Sequence, residues 1–302
     1  MAQASEIKSR INSISDTKKV TDAMYMISSV KMQKAMREVE NTQPFFNALR
    51  QEIGELLHYL PETDNPYFRW NRTEESEGRA VLLITSDKGL AGSYNHVAIH
   101  AAEEQLQKHR LMRLYVVGEY GRQYFMNKSH RFVKEFSYSA GFPTIRVAQQ
   151  ICADLLEDFD SKKIDEIDIL YTHFHGGKPG ECKKRTLLPL NRSNFYDAEE
   201  QIPVGKEFYP DPNTVLNGIV PSYLTGYIYS ALVESYCGEQ NARMTAMKTA
   251  GDNAEEMLKK LRMQYNSVRQ AAITREMTEL TSGTRALRKN RQKAKTRRED
   301  AE

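Results

Sequence analysis

From Ala4 to Tyr59 the apolar residues recur at spacings of three and four, as at Ile7, Ile11, Ile14, Val20, Met24 and Ile27. That period predicts a long helix. Pro44 marks a kink position within it, and Pro61 closes it. The polar run ETDNPYFRWNRTEESEG from Glu62 to Gly78 reads as a linker or exposed loop.

The pattern then changes. AVLLITSD, starting at Ala80, is a short apolar run closed by turn residues, which predicts a buried strand. HVAIHAAEEQLQKH has helical spacing, RLYVVG reads as a strand, and TIRVAQQICADLLEDF as a helix. IDEIDILYTHF and KKRTLLPL read as two further strands. Strands alternating with helices predict an α/β sheet that is at least partly parallel. The loop PVGKEFYPDPNTV ends this region.

From Ser222 onward there is no proline, and Leu224, Ile228, Ala231, Leu232, Ala242, Ala246, Ala250, Met257, Leu261 and Val268 keep helical spacing. One helix from Ser222 to Leu287 would measure roughly 100 Å at a rise of 1.5 Å per residue. A compact domain does not bury such a rod. Ala231, Gly238, Ala242, Ala246 and Ala250 let a second helix approach closely. The fold class is therefore α/β with a long antiparallel coiled coil of the N- and C-terminal helices, the α/β domain being inserted between them. The expected divisions are 1–60, 78–205 and 220–302.

Composition narrows the class. The chain has 302 residues, 40% of them apolar, with a net charge of +3. The start MAQASEIKSR lacks the apolar core of a secretory signal. No apolar run approaches the ~20 residues of a membrane span. A soluble or membrane-peripheral chain is expected. Cys152, Cys182 and Cys237 are odd in number and far apart, which fits a reducing compartment rather than a disulfide framework.

Candidate chemistry is sparse. SDKGLAGSYN, Ser86 to Asn95, follows a strand and opens a helix, where phosphates often bind. Its glycine spacing matches neither familiar phosphate loop, so a tight turn is the better reading. His96 and His100 are four apart, but Val97 stands where the zinc-protease pattern needs Glu. His173, His175 and Cys182 are read as ordinary structural residues. No metal, cofactor or catalytic residue is assigned. The basic tail of Arg285, Arg288, Lys289, Arg291, Lys293, Lys295, Arg297 and Arg298 leaves open a nucleic-acid-binding coiled coil as the alternative function, although no aromatic residue is interleaved.

The stretch VTDAMYMISSVKMQKAM, Val20 to Met36, is apolar around most of its circumference. Val20, Ala23, Met24 and Ile27 fall on one side, and Tyr25, Met32, Met36 and Val39 nearly opposite. One side can pack on the C-terminal helix. The other needs the α/β domain or another chain, and flexible methionines suit a changing partner.

Two terminal segments carry a resemblance. IKSRINSISDTKKVTDAMYMISSVKM, together with ARMTAMKTAGDNAEEML and YNSVRQAAITREMTEL, resembles the γ subunit family of rotary F-type ATP synthases. ITSDKGLAGSYN and LLPL are similar to that family's intervening domain. The resemblance covers nearly the whole chain. It implies a rotor shaft, one copy per complex, inside a hexamer of α and β subunits. It also implies a Rossmann-like foot that touches the ε subunit and the membrane c-ring. Such a chain couples ion flow to ATP synthesis as a non-catalytic subunit, peripheral to the cell membrane or an inner energy-transducing membrane, on the cytoplasmic or matrix-equivalent side. It binds no nucleic acid. By the same resemblance, Met24, Arg243, Arg269, Gln270, Thr274, Glu276 and Glu279 are the coupling contacts with the stator. Arg285 and the charged extension after it depart from the family's short apolar tip.

Overall fold

The computed structural model describes residues 2–60, 65–68, 78–109, 111–128, 132–174, 180–195 and 207–299, with side chains for residues 4–287 within these ranges. His175 and the side chains of the basic tail beyond Leu287 lie outside the described residues. In chain order the elements are α1 (Ala2–Tyr59), β1 (Arg79–Ile84), α2 (Tyr94–Lys108), β2 (Arg113–Val117), α3 (Glu119–Asn127), α4 (Ile145–Asp160), β3 (Glu166–His173), β4 (Glu181–Leu188) and α5 (Pro212–Glu299). They form two compact units, Met24–Ala246 and Met1–Ala23 with Met247–Glu302. The two long helices run through both.

In the larger unit the sheet order is β2-β1-β3-β4, with β1 parallel to both neighbours and β4 antiparallel to β3. Strand alternation divides the apolar residues between two layers. Leu82, Ile84, Tyr115, Ile167 and Ile169 face α4, the end of α1 and the first part of α5, where Ile53, Leu56, Ile151, Leu155, Leu224 and Ile228 complete the core. Val81, Leu83, Leu114 and Val116 face α2 and α3, against Ala98, Ala102 and Phe125. The partly parallel α/β arrangement is the one the alternating pattern predicts.

From Met24 to Arg50 α1 buries a narrow line, and only its end, at Ile53, Leu56 and Leu57, presents a broad apolar face. Ser28 and Ala35 are buried, with Met32, Val39, Thr42, Phe46 and Leu49 half-buried beside them. Their spacings of three and four are those of a coiled-coil seam. Pro44 lies inside α1 and does not end it.

The smaller unit is a two-helix seam. Ile7, Ile11, Ile14, Lys18 and Thr21 line α1, and Met247, Gly251, Ala254, Leu258, Leu261, Tyr265, Val268 and Ala272 line α5. The register is antiparallel. A β-carbon at Gly251 would lie 3.5 Å from the Thr21 hydroxyl, and Lys18 Nζ is 2.7 Å from Glu255 Oε2. Nearer the chain start, Ile7 and Arg10 share a groove with Leu261 and Val268. After Ala272 the seam ends, and every residue from Ile273 to Leu287 is exposed.

Two elements depart from the sequence expectation. α5 starts at Pro212, ten residues before Ser222, and carries Pro221 inside it. Asp211 caps it: its Oδ1 accepts from the amides of Asn213 and Thr214, both at 3.0 Å. Proline at the first helical position forfeits no helical hydrogen bond. α3 was not foreshadowed, because its nine residues are too short a run to show a period clearly. It is tied to the end of β1 through Gly121, whose amide donates to the Thr85 hydroxyl at 3.1 Å.

Candidate functional site

In an open α/β sheet, ligands bind outside the carboxyl ends of the strands, at the point where strand order reverses. Here that point lies between β1 and β3. It is filled by α5. The Thr172 amide at the end of β3 donates to the Ser235 hydroxyl of α5 at 3.0 Å. A β-carbon at Gly238 would lie 2.9 Å from the Thr172 methyl. Tyr94 and Glu239 are buried in the same place, and burial pushes the Tyr94 hydroxyl far above its ordinary pKa. The void left among these groups measures about 20 Å³, room for about one water.

The Ser86–Asn95 stretch is a tight turn, the better of its two sequence readings. Ser86 accepts from Asn95 Nδ2 at 2.7 Å, and its own amide donates to Asn95 Oδ1 at 3.0 Å. Leu90 and Gly92 have φ of 63° and 55°. Left-handed backbone at a leucine costs roughly 1–2 kcal/mol, so the surroundings must hold it. Arg243 does part of that. Its Nη2 donates to the Gly89 carbonyl at 3.0 Å and to Glu239 Oε1 at 2.6 Å. Burial raises the Glu239 carboxyl pKa, outweighing the pull of Arg243.

The histidines go separate ways. His96 stacks edge-on to Tyr120, His100 pairs with Glu104 at 3.3 Å, and His173 Nδ1 lies 2.6 Å from Glu234 Oε2. Among the described residues, no three acidic, histidine or cysteine side chains gather as a metal set. Burial raises the thiol pKa values of Cys182 and Cys237, to about 11 and about 12.

The seven residues named from the family resemblance occupy three settings. Arg269, Gln270, Thr274, Glu276 and Glu279 are exposed on α5, with Glu279 paired to Arg275 at 3.1 Å. Met24 is half-buried at the edge of the α1 seam. Arg243 is 8% exposed and bonded within its own unit.

The structure adds a set that helical angles did not separate. On α1, Met26, Ile27 and Val30 are 65%, 53% and 66% exposed. On α5, Met277, Leu280 and Leu287 are 65%, 74% and 66% exposed. Large apolar residues thus lie outside on α1 while Thr21, Ser28 and Ala35 are among the residues buried in its seam. The missed signal was the seven-residue recurrence of small residues at Thr21, Ser28 and Ala35. Among the described residues, no helix is long and apolar enough to cross a membrane.

Known proteins agree on one family. A model described as ATP synthase matches residues 3–287. The chain is 37% identical over 295 residues to the ATP synthase gamma chain of Acetivibrio thermocellus, covering 95% of this chain and 100% of that relative. It is 32% identical over 304 residues to the sodium-ion-specific ATP synthase gamma chain of Acetobacterium woodii, covering 93% and 98%. Among solved structures, a chain of the Euglena gracilis mitochondrial ATP synthase assembly of OSCP, F1 and c-ring shares the fold at a TM-score of 0.63, with 14% identity and 95% of each chain covered. A chain of the Tetrahymena thermophila mitochondrial ATP synthase central stalk and c-ring gives a TM-score of 0.57 at 23% identity, covering 76% of this chain and 99% of that one. Matched nearly end to end by its relatives, the chain belongs to the ATP synthase gamma chain family.

Proposed function

We propose that this chain is the central rotor subunit of a rotary ATP synthase, coupling ion flow through a membrane sector to ATP synthesis on a hexamer of α and β subunits. The observation that carries the reading is a pair of apolar surfaces, exposed among the described residues, in a chain of this family. They are Met26, Ile27 and Val30 on α1, and Ile273, Met277, Leu280 and Leu287 on α5. Exposed large apolar residues grouped along a helix are the mark of a protein contact. The surrounding hexamer would cover them.

The proposed partners are the α and β subunits, the ε subunit and the membrane c-ring, with one copy of this chain per complex. The chain would be membrane-peripheral through that assembly and would carry no bond chemistry itself. Residues 1–60 and 220–302 would form the shaft, and residues 78–205 the foot. Met24, Arg269, Gln270, Thr274, Glu276 and Glu279 would meet the stator directly, whereas Arg243, buried and bonded within its own unit, would act from inside the chain. Exposed polar contacts of ~1 kcal/mol or less suit surfaces that must engage and release each turn.

The test is reconstitution. Mixed with α and β subunits, the chain should assemble at one copy per hexamer and restore ATP hydrolysis above that of the hexamer alone. Absence of both assembly and stimulation would sink the reading. Salt-sensitive binding of DNA, lost on truncation after Leu287, would favour the nucleic-acid alternative instead.

A further inference from the structure

A groove lies between α1, α4 and α5, wholly within the larger unit. Its volume is about 540 Å³, inside the roughly 300–1,000 Å³ range of small-molecule sites. Phe45, Phe46, Ile145, Ala153, Leu156 and Pro221 supply apolar walls. The two phenylalanine rings meet edge to face at a centroid distance of 5.3 Å.

The polar groups at its base are already engaged. Thr225 Oγ1 donates to the Pro221 carbonyl at 2.9 Å, and Cys152 Sγ lies 3.6 Å from the same oxygen. Burial raises the Cys152 thiol pKa, so the thiol stays protonated at neutral pH. The hydrogen-bonding groups open to a ligand are at the mouth, where Asn41, Gln149 and Ser222 are exposed. All three are neutral. Charged residues make up 27% of the chain, yet none of the described residues lining this groove is charged. An ion entering it would lose hydration with no opposite charge in return. That disfavours nucleotides, phosphates and carboxylates and selects an uncharged molecule. A protein partner fits less well. The exposed large apolar residues at the groove are Phe45 and Ile145. Two side chains fall far short of the roughly 800 Å² that each partner buries in a stable protein contact.

We propose that the groove between α1, α4 and α5 is a binding site for an uncharged, ring-bearing small molecule. Its rings lie along Phe45, Ile145 and Leu156, and its neutral polar groups meet the Asn41 and Gln149 amides. Aromatic side chains pair with a second ring edge-on or offset, the geometry Phe45 and Phe46 already adopt with each other. A ligand seated there ties α4 to both long helices.

The experiment titrates the full purified chain with two fluorescent probes of the same ring system: phenylnaphthylamine, which is neutral, and anilinonaphthalene sulfonate, which is anionic. The neutral probe should saturate at about one equivalent with a Kd below about 100 μM, and bind at least about tenfold more tightly than the sulfonate. Ala153→Phe, at an exposed helix position, fills the groove and should weaken the neutral probe about tenfold. Ile27→Ser with Val30→Ser removes the outward apolar face of α1 and should leave binding unchanged. Gln149→Lys adds a cation at the mouth and should shift the preference toward the sulfonate by about tenfold. Equal affinity for the two probes would overturn the proposal, as would neutral-probe binding that survives Ala153→Phe or is lost with Ile27 and Val30. If Ala153→Phe fails to fold by circular dichroism, Gln149→Lys decides, and an unchanged preference there removes the site. No other subunit is present in the titration, so its outcome stands apart from the rotor reading.

Discussion

The Phe46 ring of α1 lies directly on Gly226 of α5, so close that a β-carbon at position 226 would overlap the ring. Glycine here is a packing requirement set by the neighbouring helix. Tyr229, one turn on, is tilted against the same ring at a centroid distance of 6.4 Å.

Gly226→Ala therefore brings opposed effects. Alanine favours the helix by about 1 kcal/mol, while overpacking costs about 1–3 kcal/mol. A net loss of stability in urea denaturation is expected. In a Phe46→Ala background the same change should be neutral or stabilising. Equal losses in both backgrounds would show that the ring contact is not the cause.

Asp158 offers a test by pH. Lys163 Nζ lies at 2.6 Å and the Tyr115 hydroxyl at 2.5 Å. Burial alone would raise the carboxyl pKa, but Lys163 and Tyr115 together outweigh it and hold it below its ordinary 3.8. A carboxyl depressed in the folded state adds stability above its unfolded pKa, which is lost as pH falls through the lower folded value. Asp158→Asn should destabilise by about 1–2 kcal/mol near neutrality. The gap should close as pH drops below about 4. A gap that stays constant into that acid range would mean the carboxylate charge is not what matters.

The outward apolar residues of α1 should matter to assembly and not to folding. Ile27→Ser and Val30→Ser should change the stability of the isolated chain by no more than about 0.5 kcal/mol, the usual range for exposed sites. Reconstituted ATP hydrolysis should fall severalfold. A loss of chain stability with full activity would reverse the assignment of that face.

Met24→Lys should lower ions pumped per ATP more than it lowers the amount of assembled complex. Its half-buried position at the edge of the seam leaves a lysine room to extend outward. Arg269→Ala with Gln270→Ala, both exposed, should slow hydrolysis in the complex and leave the melting of the isolated chain unchanged. Unaltered pumping in the first variant, or unaltered hydrolysis in the second, would remove those residues from the coupling set.

What was legible in the sequence was mostly periodic. The strands from Arg79, Arg113 and Glu166 showed as apolar runs, the strand from Glu181 only by its end in KKRTLLPL, and α1, α2, α4 and most of α5 as three-and-four spacing. The direction α1 faces was not legible, because hydrophobicity marks the wrong side. Ser28 and Ala35 are inside since two helices approach closely there, whereas Ile27 and Val30 are outside. A rule that places apolar residues in the core is blind to a surface shaped for a partner. Arg243 and Glu239 are four apart on a helix, which hinted at their pairing. Nothing in that spacing showed that the guanidinium would also reach Lys88 and Gly89, more than 150 residues away in the chain.

The crevice filled by α5 has a mechanical meaning. A helix attached only through its end could spin about its own axis under load. α5 is keyed against the strand ends by Ser235 on the Thr172 amide, by Gly238 on the Thr172 methyl, and by Arg243 on the turn after β1. Twisting the helix would shear all of these at once. The place where related sheets hold a nucleotide thus serves here as a spline, gripping α5 against rotation relative to the sheet.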